Sequence, residues 1–103
     1  MNRAKTEDLI KAVISLRNRG EAKKFLRDLL TEQEIIEFGN RWKAAQMLND
    51  KVSYVKIVKK TGLSSTTIAR ISKWLNEGMG GYRLVLKKQH QHVAKRSGKK
   101  HAP

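Results

Sequence analysis

The stretch that decides the fold runs from Lys51 to Asn76 and reads KVSYVKIVKKTGLSSTTIARISKWLN. Two short helical patterns flank Gly62 within it, and no acidic residue interrupts them. Two helices joined by a glycine turn and carrying only positive charge are typical of a helix-turn-helix that binds DNA. The basic residues of the stretch are Lys51, Lys56, Lys59, Lys60, Arg70 and Lys73.

Cap residues define both helices of this pair. Ser53 is a good N-cap for the first helix, and Gly62 stands just past its end, where a left-handed residue is favoured. If Ser64 caps the second helix, Leu63 and Ile68 occupy the positions of a hydrophobic staple. The inner stripe of the second helix is then Ile68, Ile71 and Leu75, and its opposite face carries Ser65, Thr66, Ala69 and Lys73. Small side chains on that face allow close approach to the major groove of DNA.

Composition narrows the class of protein. The chain has 103 residues and a formal net charge of +14. This length predicts one domain with a small core, and the excess of positive charge predicts a polyanionic partner. Cysteine is absent, and no apolar run approaches the roughly 20 residues that span a bilayer. We therefore expect a soluble cytoplasmic protein with no membrane partner.

Two amphipathic helices are predicted near the N-terminus. The first extends from about Thr6, as its cap, to Asn18. The second follows a break at Gly20 and carries apolar residues at helical spacing up to Leu30. We expect the second helix to cover the first.

A third and longer helix is predicted from a capping box formed by Thr31 and Glu34. It should end near Asn49 and Asp50. Gly39 lies beside its apolar stripe, and a close helix crossing would compensate for the cost of an interior glycine. The stripe consists of Ile35, Phe38, Trp42, Ala45 and Leu48.

The C-terminal residues are separated from these helices by glycines at positions 78, 80 and 81. Tyr82 to Leu86 could form one or two helical turns that dock on the core or on a partner. From Lys87 to Pro103 the chain has no acidic residue and little to bury, so we expect a disordered basic tail. The predicted organisation is a helical domain of residues 1–86 followed by this tail, residues 87–103.

Several spaced residues now carry a resemblance to a known family. The chain resembles the Trp repressor superfamily, and most closely its YerC/YecD-type DNA-binding regulators. The resemblance implies an all-α, intertwined homodimer whose two helix-turn-helix units read two operator half-sites, as a transcriptional regulator and most simply a repressor. The matching positions are Leu30-Thr31-Glu32, Gly39-Asn40-Arg41, Leu48, Val52-Ser53, Thr61-Gly62, Ser65-Thr66-Thr67-Ile68 and Arg70.

The resemblance also implies an effector pocket. In the Trp repressor two arginines sandwich the indole of the corepressor, and Arg41 and Arg70 match them. The family pocket has a small residue and a serine where this chain has Ile71 and Trp74. Because Trp74 could fill the space of the indole, we predict that tryptophan is not a corepressor here. Two alternatives stay open: the arginines bind another small anion, or Arg41 pairs with Glu37 one turn before it.

Catalysis and metal binding are not predicted. No pairing of a nucleophile with a base stands out, and the glycines near position 80 lack the preceding strand of a dinucleotide site. His90 and His92 alternate, but two histidines on an expected tail are weak support for a metal site. We predict a binding protein that is not an enzyme and has no cofactor. Trp42 and Trp74 fall on apolar stripes and are predicted to lie in the core.

The proposed DNA contacts divide into three groups, of which the third is the basic tail, expected to attract DNA of any sequence. Hydroxyls and methyls at the start of the second helix, with Tyr54, would contact base edges, while Lys and Arg side chains would contact phosphates. An RNA-associated or nucleoid architectural protein is the main alternative, and a helical adaptor that binds through Tyr82 to Leu86 is a third. The short, nonaromatic front of the second helix favours duplex DNA. The predicted DNA-binding residues are Tyr54, Lys56, Lys59, Lys60, Ser64, Ser65, Thr66, Thr67, Ala69, Arg70 and Lys73.

Overall fold

The computed structural model describes residues 3–90, and all its regular elements in that range are helices. The predicted all-α class is confirmed. The chain divides into two compact units, Met1–Glu37 and Phe38–Pro103. The helices in chain order are α1 (Arg3–Ser15), α2 (Arg19–Leu29), α3 (Glu32–Asn49), α4 (Tyr54–Thr61), α5 (Ser65–Glu77) and α6 (residues 81–90).

The first unit contains α1 and α2, and α1 differs from its predicted bounds at both ends. It begins at Arg3, so Thr6 lies inside the helix and is not its cap. Good helix formers before Thr6 explain the earlier start. The helix also stops at Ser15, before Asn18, because Asn18 serves as the cap of the next helix.

The cap of α2 at Asn18 was not predicted from the sequence. The Asn18 side chain accepts a hydrogen bond from the Glu21 N–H at 3.0 Å, and the Glu21 carboxylate accepts one from the Arg17 N–H at 3.0 Å. Gly20 therefore lies in the first turn of α2 and is not a break between helices. An Asn followed three residues later by Glu is itself a signal for the start of a helix. Neither α1 nor α2 buries a residue.

The capping box of α3 is confirmed. The Thr31 N–H donates to Glu34 Oε1 at 2.9 Å, and the Glu34 N–H donates to Thr31 Oγ1 at 3.1 Å. The helix ends at Asn49 as predicted, and Lys51 follows it with a φ of 64°. Its N–H donates to Leu48 O at 3.0 Å, which is one bond of a helix-ending Schellman motif.

The core lies in the second unit, where α3, α4 and α5 contribute fully buried side chains. The predicted inner stripe of α5 is confirmed, since Ile68 and Ile71 are fully buried and Leu75 is nearly so. Burial of each isoleucine contributes about 1.5–3 kcal/mol to stability relative to an exposed position. The central cluster consists of Ala44, Ala45, Ile57, Ile68 and Ile71.

The predicted stripe of α3 is only partly correct. Ala45 is buried, and Trp42 and Leu48 pack against the core cluster, but Phe38 is 43% exposed. The expected close crossing at Gly39 is wrong for the single chain, because a Cβ atom at that position would meet no atom within 4 Å. Helical spacing locates the apolar face of α3, but it does not determine which part of that face the chain covers.

The α6 helix docks on the core through its first turn. The Tyr82 ring stacks on the Trp42 ring of α3, with centroids 6.2 Å apart. Arg83 Nε donates to Leu75 O at 2.7 Å, and Arg83 Nη2 donates to Asn76 Oδ1 at 3.3 Å. These contacts tie α6 to α3 and α5, so the expected docking of this segment on the core is confirmed, and docking on a partner stays a prediction.

The boundary predicted at Leu86 falls inside a helix, because α6 continues to residue 90. Lys87 is therefore helical and does not begin an irregular tail. The predicted disorder of residues 91–103, and the pairing of His90 with His92, lie outside the described residues. Across residues 3–90, none of the helices combines the length and the apolar character that a membrane span requires.

Candidate nucleic-acid interface

The connection between α4 and α5 is held by three local hydrogen bonds. Gly62 has the left-handed φ of 75° that its position requires, and its N–H donates to Val58 O at 2.8 Å. The buried Thr61 hydroxyl donates to Ile57 O at 2.8 Å and accepts from the Leu63 N–H at 3.2 Å. A turn with this many internal bonds sets the direction in which α5 leaves α4.

The N-terminus of α5 is capped as predicted. Ser64 Oγ accepts from the Thr67 N–H at 3.1 Å and donates to Thr67 Oγ1 at 3.0 Å. The hydroxyls of Ser64 and Thr67 are therefore engaged with each other at the cap. Ser65 and Thr66, between them, are exposed.

The predicted DNA-binding residues are accessible, with one exception. Thr67 is half-buried, and the others are exposed: Tyr54, Lys56, Lys59, Lys60, Ser64, Ser65, Thr66, Ala69, Arg70 and Lys73. The first turns of α4 and α5 contain no acidic side chain, so nothing there opposes an anion at the helix N-termini. The surface of this pair of helices thus combines small hydroxyl side chains at the front of α5 with lysines along α4.

The predicted effector residues have different surroundings. The Arg41 guanidinium lies over the Phe38 ring, 5.7 Å from its centroid, and Arg41 is half-buried. Arg70 is exposed on α5. The pairing of Arg41 with Glu37 stays a prediction, as does a pocket shared by Arg41, Arg70 and Trp74.

The expected core position of Trp74 is wrong for the single chain, because this side chain is 45% exposed. It lines an aromatic groove of about 830 Å³ together with Trp42, Tyr82, Met79 and Val85. Neither Arg41 nor Arg70 is among the residues that line it. Sequence reasoning missed this groove because its walls come from α3, α5 and α6, which meet only in the folded chain.

Gly78 shapes the junction at one end of that groove. Its N–H donates to Trp74 O at 2.8 Å, and a Cβ atom on Gly78 would collide with the same backbone oxygen. Only glycine fits there without a shift of α5. The exposed Met79 follows immediately and extends the apolar surface beside Trp74.

Comparison with known proteins gives a consistent result. The sequence profile of the family described as Trp repressor protein matches residues 4–90. An uncharacterized protein, YerC of Bacillus subtilis (strain 168), is 35% identical over 80 residues, which cover 78% of this chain and 77% of that protein.

Solved structures agree with the sequence match. The crystal structure of a TrpR-like protein from Eubacterium eligens ATCC 27750 has a TM-score of 0.81 and 35% identity, covering 86% of this chain and 92% of that one. A Trp repressor candidate from Staphylococcus aureus has a TM-score of 0.80 and 30% identity, covering 86% and 89%. The similarity therefore extends across both the sequence and the helical fold.

Proposed function

The chain belongs to the Trp repressor family, and from this membership we propose that it is a transcriptional regulator, most simply a repressor, that binds specific sequences of double-stranded DNA. The α4–α5 pair would act as its helix-turn-helix. The observation that carries the proposal is the front of α5, where Ser65 and Thr66 are exposed beside a bonded cap and next to the lysines of α4. Binding, and not catalysis, would be its activity in the cytoplasm.

Sequence preference would come from the N-terminal part of α5. The major groove is roughly 12 Å wide and admits a helix, and small side chains let the helix backbone approach the base edges. Ser65 and Thr66 would offer hydroxyls and a methyl group, with Tyr54 contributing from α4. Because Ser64 and Thr67 bond to each other, their proposed role narrows to holding the cap and contacting the backbone of DNA.

Affinity would come mainly from phosphate contacts. Each contacted phosphate releases counterions, so binding would weaken as the salt concentration rises. The exposed cations of α4 and α5 that would make these contacts are Lys56, Lys59, Lys60, Arg70 and Lys73. The basic residues beyond α6 would add attraction that does not depend on DNA sequence.

A homodimer is proposed from the apolar surface that the single chain leaves exposed. Leu9, Ile10, Val13 and Ile14 form one exposed apolar stripe on α1. A stripe of this kind marks an interaction surface, and a second copy is the partner that the family membership supports. Two copies would place two α5 helices about one DNA turn apart, roughly 34 Å.

We also propose that free tryptophan is not the corepressor. Ile71 is fully buried in the core, so its position offers no room for a ligand, and the bulky Trp74 follows on the same helix. Titration of the protein with L-tryptophan should release no heat and leave the affinity for DNA unchanged. Micromolar binding of tryptophan would contradict this proposal.

The DNA-binding proposal is tested by selecting bound fragments from random duplexes and then comparing two variants on the selected and a shuffled sequence. Thr66→Tyr should abolish the preference for the selected sequence, because the ring blocks approach to the groove, while most salt-sensitive binding remains. Lys59→Gln should weaken binding to both duplexes alike and reduce the salt slope by about one.

The opposite results would count against the proposal. If Thr66→Tyr, like Lys59→Gln, weakens binding to both duplexes equally, α5 does not read sequence. Tighter binding to structured RNA than to any duplex would favour the alternative of an RNA-associated protein. Measurement of the mass of the complex with the selected duplex gives the number of protein copies bound.

A further inference from the structure

A polar cavity separate from the aromatic groove lies between the C-terminal ends of α3 and α5 and one side of α6. Its volume is about 460 Å³, which is within the roughly 300–1,000 Å³ typical of small-ligand sites. Lys51, Arg83, Lys87 and His90 line it, and none of its lining residues is acidic. The cavity therefore concentrates positive charge in a partly enclosed space.

Backbone carbonyls at the ends of α3 and α5 would normally oppose an anion at this position. Here two of them are paired within the chain. The Lys51 N–H donates to Leu48 O at 3.0 Å, and Arg83 Nε donates to Leu75 O at 2.7 Å. Neither bond uses the side-chain charge of Lys51 or Lys87, both of which line the cavity.

Arg83 is also held in place before any ligand binds. Its Nη2 donates to Asn76 Oδ1 at 3.3 Å, and its Nη1 takes part in neither of the two bonds. Asn49, Ser72 and Asn76 add neutral polar groups to the same lining, and Asn76 Nδ2 donates to Ser72 O at 2.9 Å. A guanidinium fixed by two bonds loses little conformational freedom when it binds an acid group.

We propose that this cavity binds a small organic anion with two or more negative charges, carried by phosphate or carboxylate groups. The acid groups would contact Lys51, Arg83 and Lys87, and the body of the ligand would lie against the apolar part of the wall, formed by Leu48, Leu75 and Leu86. A phosphate of DNA offers similar chemistry. The small ligand is favoured because the cavity lies at the C-terminal end of α5, whereas the exposed Ser65 and Thr66 lie at its N-terminal end.

Such a ligand would contact α5 directly through Ser72, Leu75 and Asn76. It would also contact α6, so its binding would alter how α6 holds the end of α5. This regulatory consequence rests on the proposed DNA-binding function, but the binding of the anion does not. The test is therefore made without DNA first.

The experiment is an NMR titration of the full chain with sodium pyrophosphate and, separately, citrate, at an ionic strength held constant with sodium chloride. The amide signals of Asn49, Ser72 and Asn76 should shift with both probes. Lys87→Gln should weaken binding about tenfold, because it removes one charge-assisted hydrogen bond. Lys88→Gln is the matched control, since Lys88 is adjacent to Lys87 but lies outside the lining, and this variant should bind as the unaltered chain does.

A second variant separates binding from folding. Lys51→Gly removes a cation of the cavity and relieves a left-handed conformation, so it should weaken binding of pyrophosphate while the fold is retained. Equal losses in Lys87→Gln and Lys88→Gln, or shifts spread over the lysines of α4, would show a general ion atmosphere and overturn the proposal. So would displacement of pyrophosphate by duplex DNA in direct competition, which would assign the cavity to the DNA contact.

Discussion

The two units of the chain have similar apolar patterns but bury very different amounts of apolar surface. In the second unit Ile71 on α5 is fully buried, as are its neighbours in the core cluster. In the first unit Ile14 on α1 is 73% exposed, and α1 and α2 bury no residue. Both isoleucines belong to amphipathic helices, so the difference arises from what each helix has to pack against.

This difference indicates how the two units reach stability. A helix gains most of its stability from the packing of its apolar face, and short isolated helices are marginal in water. The second unit supplies its own packing through α3, α4 and α5. The exposed stripe of α1 is the surface that a second copy would cover in the proposed homodimer.

The largest expected effect compares the two isoleucines directly. Ile71→Ala should lower the free energy of unfolding by about 2–5 kcal/mol, because it leaves a cavity among buried neighbours. In the proposed homodimer Ile14→Ala should cost more than the roughly 0.5 kcal/mol expected of a surface position. Chemical denaturation at two protein concentrations measures both costs.

The control for Ile14→Ala is Lys11→Ala, which changes an exposed residue outside the apolar stripe of the same helix. It should be nearly neutral. If Ile14→Ala is equally neutral at both concentrations, no second copy covers α1. The first unit would then be marginally stable beside a well-packed second unit.

A smaller effect is expected at the junction of α5 and α6, which belongs to the self-sufficient unit. Gly78→Ala should cost about 1–3 kcal/mol, because the new Cβ collides with Trp74 O. Gly81→Ala is the matched control, since a Cβ there meets nothing within 4 Å and should cost nothing. Thermal unfolding measures both, and equal costs would mean that the contact at Gly78 does not hold the junction.

The sign of the change in unfolding free energy on Gly39→Ala tells whether a second copy packs against α3 at that position. In the single chain it should raise the free energy of unfolding by about 0.5–1 kcal/mol, since alanine favours a helix interior and the site is open. A decrease in stability would instead place a second copy of the chain against α3 at that point. The measurement is denaturation of the variant beside the unaltered chain.

The smallest expected change in stability concerns the capping box of Thr31 and Glu34 in the first unit. This box is held by local hydrogen bonds and does not depend on packing. The backbone and side-chain hydrogen bonds with Thr31 lower the pKa of Glu34 below its usual 4.5. A lowered pKa in the folded state means that the stabilisation is present above the usual pKa and is lost as the pH falls through the lowered value. The difference in stability between Glu34→Gln and the unaltered chain should therefore shrink on acidification.

A difference that does not change with pH would contradict a role for the carboxylate, and Glu32→Gln in the same turn is the control.

Local signals predicted much of the fold. Ser53, Ser64 and the Thr31–Glu34 box mark helix starts correctly because each uses hydrogen bonds between residues three positions apart. Gly62 marks the turn for a similar reason, since its left-handed φ is a property of one residue. Local signals are ambiguous where two of them conflict. Gly20 suggests a break between helices, whereas Asn18, two residues before it, caps α2.

Side-chain environments were harder to predict. Trp74 was expected in the core and is exposed, and Phe38 is likewise more exposed than its stripe suggested. The aromatic groove and the polar cavity had no local signal, because the residues that line each of them come from three separate helices. Apolar spacing defines the face of a helix, but only the neighbouring helices determine whether that face is covered.

By itself the sequence determined the helical class, the α4–α5 pair with its turn, the caps and the concentration of positive charge. These depend on interactions between residues a few positions apart and on composition. Only the tertiary structure decided that Ile14 is exposed while Ile71 is buried, that α6 stacks Tyr82 on Trp42, and that three cations face one cavity. Such contacts join residues far apart in the chain, and their formation depends on how complete surfaces fit together.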